Sequence, residues 1–163
     1  MSTTTHRAEA TIEAVPDLPV IRIVREFAAT TQQLFRAHTD PDLYARWVGP
    51  ASVSTTIDHW DARDGGSFRF RNHRGEEEFA FRGCFHTVRS RLIVQTFTWE
   101  GMPDDVALET LVFEDLGGGR SRLVVQSLCD SMEGRDAWLA SGMEVGVDEG
   151  YAALDGLLAD GAV

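Results

Sequence analysis

The chain has 163 residues, the length of one domain, and its 43% hydrophobic and 25% charged content is that of a globular protein, not a disordered or fibrous one. Acidic residues outnumber basic ones 26 to 15, and the net charge of −11 argues against nucleic acid or an anionic membrane surface as partner. All 15 basic residues are Arg, which excludes a Schiff-base or phosphate-loop lysine.

Residues 1–17 are rich in Thr, Ala and Glu without periodicity and read as a mobile tail, leaving 18–163 as a single domain. The run VIRIVREF over 20–27 predicts a first strand. Thr30 and Gln33 form a capping box, so a short helix follows through Phe35. Asp40-Pro41 is a second helix start, and Gly49-Pro50 must end that helix. Six further strands are predicted at 53–60, 67–74, 77–88, 92–99, 106–114 and 120–127. Their short connections favour antiparallel neighbours, because a parallel crossover needs about a dozen residues. After Cys129 the period becomes helical, with Met143, Val147, Tyr151, Leu154 and Leu158 on one stripe. The expected fold class is α+β: a curved antiparallel sheet of about seven strands wrapped on one long C-terminal helix that starts between Asp130 and Gly142. The two short helices after the first strand plug one end.

Phe68, Phe70, Phe79, Phe81 and Phe85 alternate with Arg69, Arg71, Glu78 and Arg82, so the rings share one sheet face and the charges the other. That face is either core under the helix or, in part, the wall of a cavity. Gly142, Gly146 and Gly150 recur every four residues on one side of the helix, each at a cost of about 1 kcal/mol against Ala. Close packing on the sheet, space for a ligand and a homodimer seam all remain open. Trp47 lies where the mouth of a pocket is expected.

Catalytic and metal signals are sparse. His6, His38, His59, His73 and His86 lack the helical spacing of a zinc site, so neither metal nor cofactor is expected. His59, between Asp58 and Asp61, is the best acid–base candidate by residue type, but Asp58 should point to the opposite face. Glu109 and Gln126 are candidates to orient a polar ligand group, though solvated positions are expected for both. Cys84 and Cys129 are isolated and read as reduced thiols of a cytoplasmic protein. No apolar run has the length of a membrane span, so no membrane association is expected.

Four segments carry a family resemblance: FAATTQQLFRAHTDPDLYARWVGP (27–50), DARDGGSFRFRNHRGEEEFAFRG (61–83), LIVQTFTWEG (92–101) and EGYAALDGLL (149–158). They combine a helix ending in Trp and Pro, an R-x-G-G turn before an aromatic strand, a Thr-rich strand ending near Trp, and a terminal helix with an aromatic before Leu. In these the chain resembles the START/birch-pollen-allergen-like helix-grip superfamily (SRPBCC), in the branch named after the C-terminal domain of the heat-shock-protein-90 ATPase activator. The resemblance implies a cavity between sheet and helix, which other members use for lipids, polyketides, hormones or other apolar molecules. The expected function is non-catalytic binding of a small apolar or aromatic molecule. The expected lining is Trp47, His59, Phe68, Phe70, Phe79, Phe81, Phe85, Gly142, Met143, Gly146, Val147, Gly150 and Tyr151, with no catalytic residue. The alternatives are a polyketide cyclase or dehydratase using His59 or Glu109, and a chaperone-type adaptor.

Overall fold

The computed structural model describes residues 9–163, so the first part of the expected tail lies outside the described residues. The strands are β1 (Thr11–Ala14), β2 (Val20–Phe27), β3 (Ser54–Trp60), β4 (Ser67–Arg74), β5 (Glu77–Arg89), β6 (Leu92–Trp99), β7 (Ala107–Gly117) and β8 (Arg120–Leu128). The helices are α1 (Thr31–Thr39), α2 (Pro41–Trp47), α3 (Met132–Ala140) and α4 (Met143–Ala159). All strands join one antiparallel sheet in the order β1-β2-β8-β7-β6-β5-β4-β3.

The eighth strand corrects the expected tail. Thr11–Ala14 pairs with β2, with Ala14 opposite Ile21, and so adds an edge strand to the sheet. Pro16 and Asp17 make the turn: Asp17 takes a left-handed φ of 62°, and Leu18 N donates to the Val15 carbonyl at 3.3 Å. Proline at the second position of a turn and an Asp that tolerates positive φ are turn chemistry.

The helical starts follow their caps. Thr30 Oγ accepts from Gln33 N at 3.1 Å while Thr30 N donates to the Gln33 side chain at 2.9 Å, and α1 runs past Phe35 to Thr39. Asp40 caps α2 ahead of Pro41. The indole of Trp47 then donates to the Ala37 carbonyl at 2.9 Å and ties the two short helices together.

The long C-terminal helix is interrupted. Gly142 adopts φ 85°, a left-handed conformation that ends α3 and starts α4, so it is a junction residue rather than an interior glycine. Ser141 Oγ donates to the Trp138 carbonyl at 2.6 Å and supports the same break.

The core forms where α4 and α1 cover the centre of the sheet. Ile21, Phe27, Phe113, Leu123, Leu34 and Leu154 are all at most 1% exposed. One charged contact fixes α4 in place. Arg25 of β2, its side chain 2% exposed, makes a bidentate pair with Asp155 of α4 at 2.6 and 2.7 Å, and its guanidinium lies over the Phe27 ring. On the outer face Arg69 and Arg71 bridge Asp58, Glu100 and Glu78, as the alternation predicts. Among the described residues no helix is long and apolar enough to cross a membrane.

Candidate functional site

A cavity of about 1000 Å³ lies between the concave face of the sheet and α4, bounded at one end by α2 and residues 48–53. Its sheet wall is a continuous aromatic surface. Phe81 stacks on Phe70 at 5.2 Å and lies 5.4 Å from Phe97, while Phe68 stacks on Phe70 at 6.2 Å. Phe68 and Phe70 are buried, whereas Phe79 and Phe81 retain partial exposure on the side that borders the void.

The helical wall comes from Met143, Gly146, Val147, Gly150 and Tyr151, with Gly142 just before them. Tyr151 stacks on Trp47 at 5.9 Å and meets Phe27 edge-on at 5.3 Å, which orients both rings at the cavity end near α2.

Two expected lining residues stand elsewhere. Phe85 is 2% exposed and packs between Trp60 and Phe68, at 5.9 and 5.2 Å, so it belongs to the core behind the wall. His59 lies on the outer face. The β3–β4 register shifts between Ile57, opposite Phe70, and His59, opposite Arg69. This bulge breaks the alternation that would have turned His59 inward. Its Nε2 meets Ser67 Oγ at 2.9 Å, and the neighbouring Asp58 carboxylate is held by Arg69 and Arg71 on the same exposed side.

The glycines divide by what they touch. A Cβ on Gly150 would stand 2.9 Å from the Trp47 carbonyl oxygen, so this glycine lets α4 press on the chain leaving α2. At Gly146 the nearest atom is Pro50 Cδ at 3.5 Å, an ordinary contact. The close approach is therefore to the segment after α2, not to the sheet. Gly150→Ala should lower stability by about 1–3 kcal/mol through overpacking, whereas Gly146→Ala should raise it by up to about 1 kcal/mol through helix propensity. Urea denaturation of both variants checks this; equal stabilisation by both would contradict the contact at Gly150.

The cavity holds few polar groups. Glu109 of β7 stands in register with Gln95 of β6 and Ser127 of β8. Gln95 Nε2 donates to Glu109 Oε1 at 3.0 Å and Ser127 Oγ to Oε2 at 2.8 Å. Glu109 is half-buried and lines the cavity. Burial accordingly raises its pKa above the ordinary carboxylate range, against the pull of the two hydrogen bonds. The solvated position expected for Glu109 is thus corrected, while Gln126 is exposed on the outer face. The Tyr44 and Tyr151 hydroxyls are pushed up first by burial and then by the Glu109 charge. His38 donates Nδ1–H to the Leu34 carbonyl at 2.7 Å, and burial pushes its pKa down to about 4, leaving a neutral imidazole.

Tyr44, Phe97, Trp99 and Trp138 also line the cavity, although the sequence reading did not assign them there. Gln95, Phe97 and Trp99 share one parity in β6, a signal of the kind that placed Phe79 and Phe81. Trp138 offered no such signal, because its place depends on the α3–α4 break. A second chamber of about 450 Å³ lies under α3 and shares Phe97, Trp99, Glu109 and Trp138 with the first.

An antiparallel sheet folded around a C-terminal helix, with an apolar cavity between them, defines the helix-grip class. The family described as Activator of Hsp90 ATPase homolog 1-like protein matches residues 28–159, and the chain belongs to that family. Members of this SRPBCC group commonly have a ligand-binding cavity. A solved protein from Rhodobacter sphaeroides is similar with a TM-score of 0.83 and 26% identity, over 92% of this chain and 98% of that one. Ms6760 from Mycobacterium smegmatis aligns with a TM-score of 0.82 and 22% identity, over 91% of this chain and 96% of the other. The AHSA1 protein from Silicibacter pomeroyi aligns with a TM-score of 0.70 and 20% identity, over 86% and 97% respectively. The last two likenesses show the fold alone. No curated protein is significantly similar to the chain.

Proposed function

We propose that this protein binds one small, largely apolar or aromatic molecule in the cavity between sheet and α4, without changing its bonds. The observation that carries this reading is the cavity of about 1000 Å³ faced by Phe79, Phe81, Phe97 and Tyr151. Its volume falls in the range of small-molecule sites, and an apolar lining with a few convergent polar groups is their usual composition. The free thiols Cys84 and Cys129 suit a cytoplasmic setting.

A second reading, a cyclase or dehydratase on the same cavity, draws support from one observation. Glu109 is a cavity carboxyl whose titration is shifted by burial, as an acid–base group would need. His38, the other candidate base in the wall, has one ring nitrogen committed to the Leu34 carbonyl and faces Trp47 and Phe113 with its ring. That placement supports packing over proton transfer, so binding remains the better-supported function.

Titration with the neutral fluorophore N-phenyl-1-naphthylamine tests the reading. Fluorescence should rise and saturate at one probe per chain, with a micromolar Kd. An unsaturable rise, or none, would overturn it.

A further inference from the structure

We propose that the ligand is an organic cation: an aromatic or apolar body carrying one protonated amine, with the ammonium seated on the Glu109 carboxylate. The inference rests on the binding reading above and adds the chemical class of the occupant.

Glu109 is an acid placed where an acid is expensive. Its partners are Gln95 and Ser127, both neutral, and each satisfies one carboxylate oxygen. Among the described residues no ion pair reaches it. Arg74, which also lines the cavity, pairs with Glu77 and lies 5.5 Å over the Phe79 ring, on the β4–β5 hairpin rather than beside β7. Each Glu109 oxygen therefore keeps acceptor capacity, and Glu109 lines the void. An ammonium would meet it with charge-assisted hydrogen bonds, which are roughly twice as strong as neutral ones.

The surrounding rings point the same way. Phe97, Trp99 and Trp138 border both chambers, as Glu109 does, so three aromatic residues line the same two chambers as the carboxylate. Aromatic faces attract a desolvated cation, indole most strongly. Tyr44 and Tyr151 line the same cavity, and each hydroxyl oxygen is a further acceptor there. The larger chamber then holds the apolar body. A net charge of −11 raises the local concentration of cations and lowers that of anions. A neutral ligand would supply no counter-charge and would favour the protonated acid, and an anionic one would be repelled by the carboxylate. The shifted titration of Glu109 is consistent with a group whose counter-charge arrives with the ligand.

Isothermal titration calorimetry with two isosteric probes decides the matter: naphthalen-2-ylmethylammonium chloride and naphthalen-2-ylmethanol, on the full chain and on Glu109→Gln. The ammonium should bind the unmodified chain at least about 10-fold more tightly than the alcohol, the scale of one desolvated cation–π or charge-paired contact. Glu109→Gln should abolish the preference, bringing the ratio of the two affinities from at least about 10-fold to about 1. Equal affinities for the unmodified chain would overturn the cation and leave cavity binding standing. Binding by neither probe would overturn both. An ammonium preference that survives Glu109→Gln would overturn the assignment to Glu109.

Discussion

Truncating Phe85 to Ala should lower stability by about 3–5 kcal/mol, whereas Phe79→Ala should cost less than about 1.5 kcal/mol. Both rings belong to β5 and share its inward parity, so strand propensity does not separate them. Their surroundings do. Phe85 is 2% exposed and wedged against Trp60 and Phe68, where removing the ring opens a new void. Phe79 is half-buried and already borders a void, so its removal enlarges an existing space and forfeits fewer contacts. Denaturant midpoints at constant m-value measure both losses. Equal losses would mean that the wall at Phe79 is closed and the cavity correspondingly smaller.

Asp155→Ala should lower stability by about 3 kcal/mol, the lower end of the range for breaking a buried ion pair. Arg25 is 2% exposed on its side chain and the carboxylate of Asp155 40%, so water softens the loss on one side only. The variant leaves the guanidinium facing α4 without that carboxylate, 4.5 Å from the Phe27 ring and 5.8 Å from the Tyr151 ring. Adding Arg25→Met to Asp155→Ala should recover much of the stability, because an apolar side chain of similar length removes the buried charge altogether. A double-mutant cycle by urea denaturation measures the coupling. Strictly additive losses would show that the pair does not anchor α4. Because Tyr151 lies one turn before Asp155 and lines the cavity, Asp155→Ala should also weaken N-phenyl-1-naphthylamine binding.

The elements that the sequence disclosed are those with a local cause. Ile21, Ile23, Arg25 and Phe27 alternate inward along β2, and Phe68 and Phe70 do the same in β4. Thr30 with Gln33, and Asp40 with Pro41, announce two helix starts that the structure keeps. Elements with a non-local cause were less legible. Thr11–Ala14 is too short to declare itself, and becomes a strand because β2 offers an open edge. The break at Gly142 turns one expected helix into two and removes one glycine from the supposed stripe.

The lining of the candidate cavity was legible to the same degree and for the same reasons. Parity placed Phe68, Phe70, Phe79 and Phe81 on the cavity side, then failed at the bulge after Ile57, which carried His59 outward. Glu109 is the instructive case. Its parity matches the inward Leu111 and Phe113 of the same strand, so alternation alone pointed into the fold. Charge argued for water, and charge was outweighed by Gln95 and Ser127 on the two adjacent strands, which only the register brings together.

The most direct test of ligand binding in this cavity is the location of a bound probe by NMR. Intermolecular nuclear Overhauser effects from N-phenyl-1-naphthylamine should reach the ring protons of Phe81, Phe97 and Tyr151, the wall of the cavity. Effects confined to exposed outer residues such as Leu108 and Leu128, with none to those rings, would contradict it.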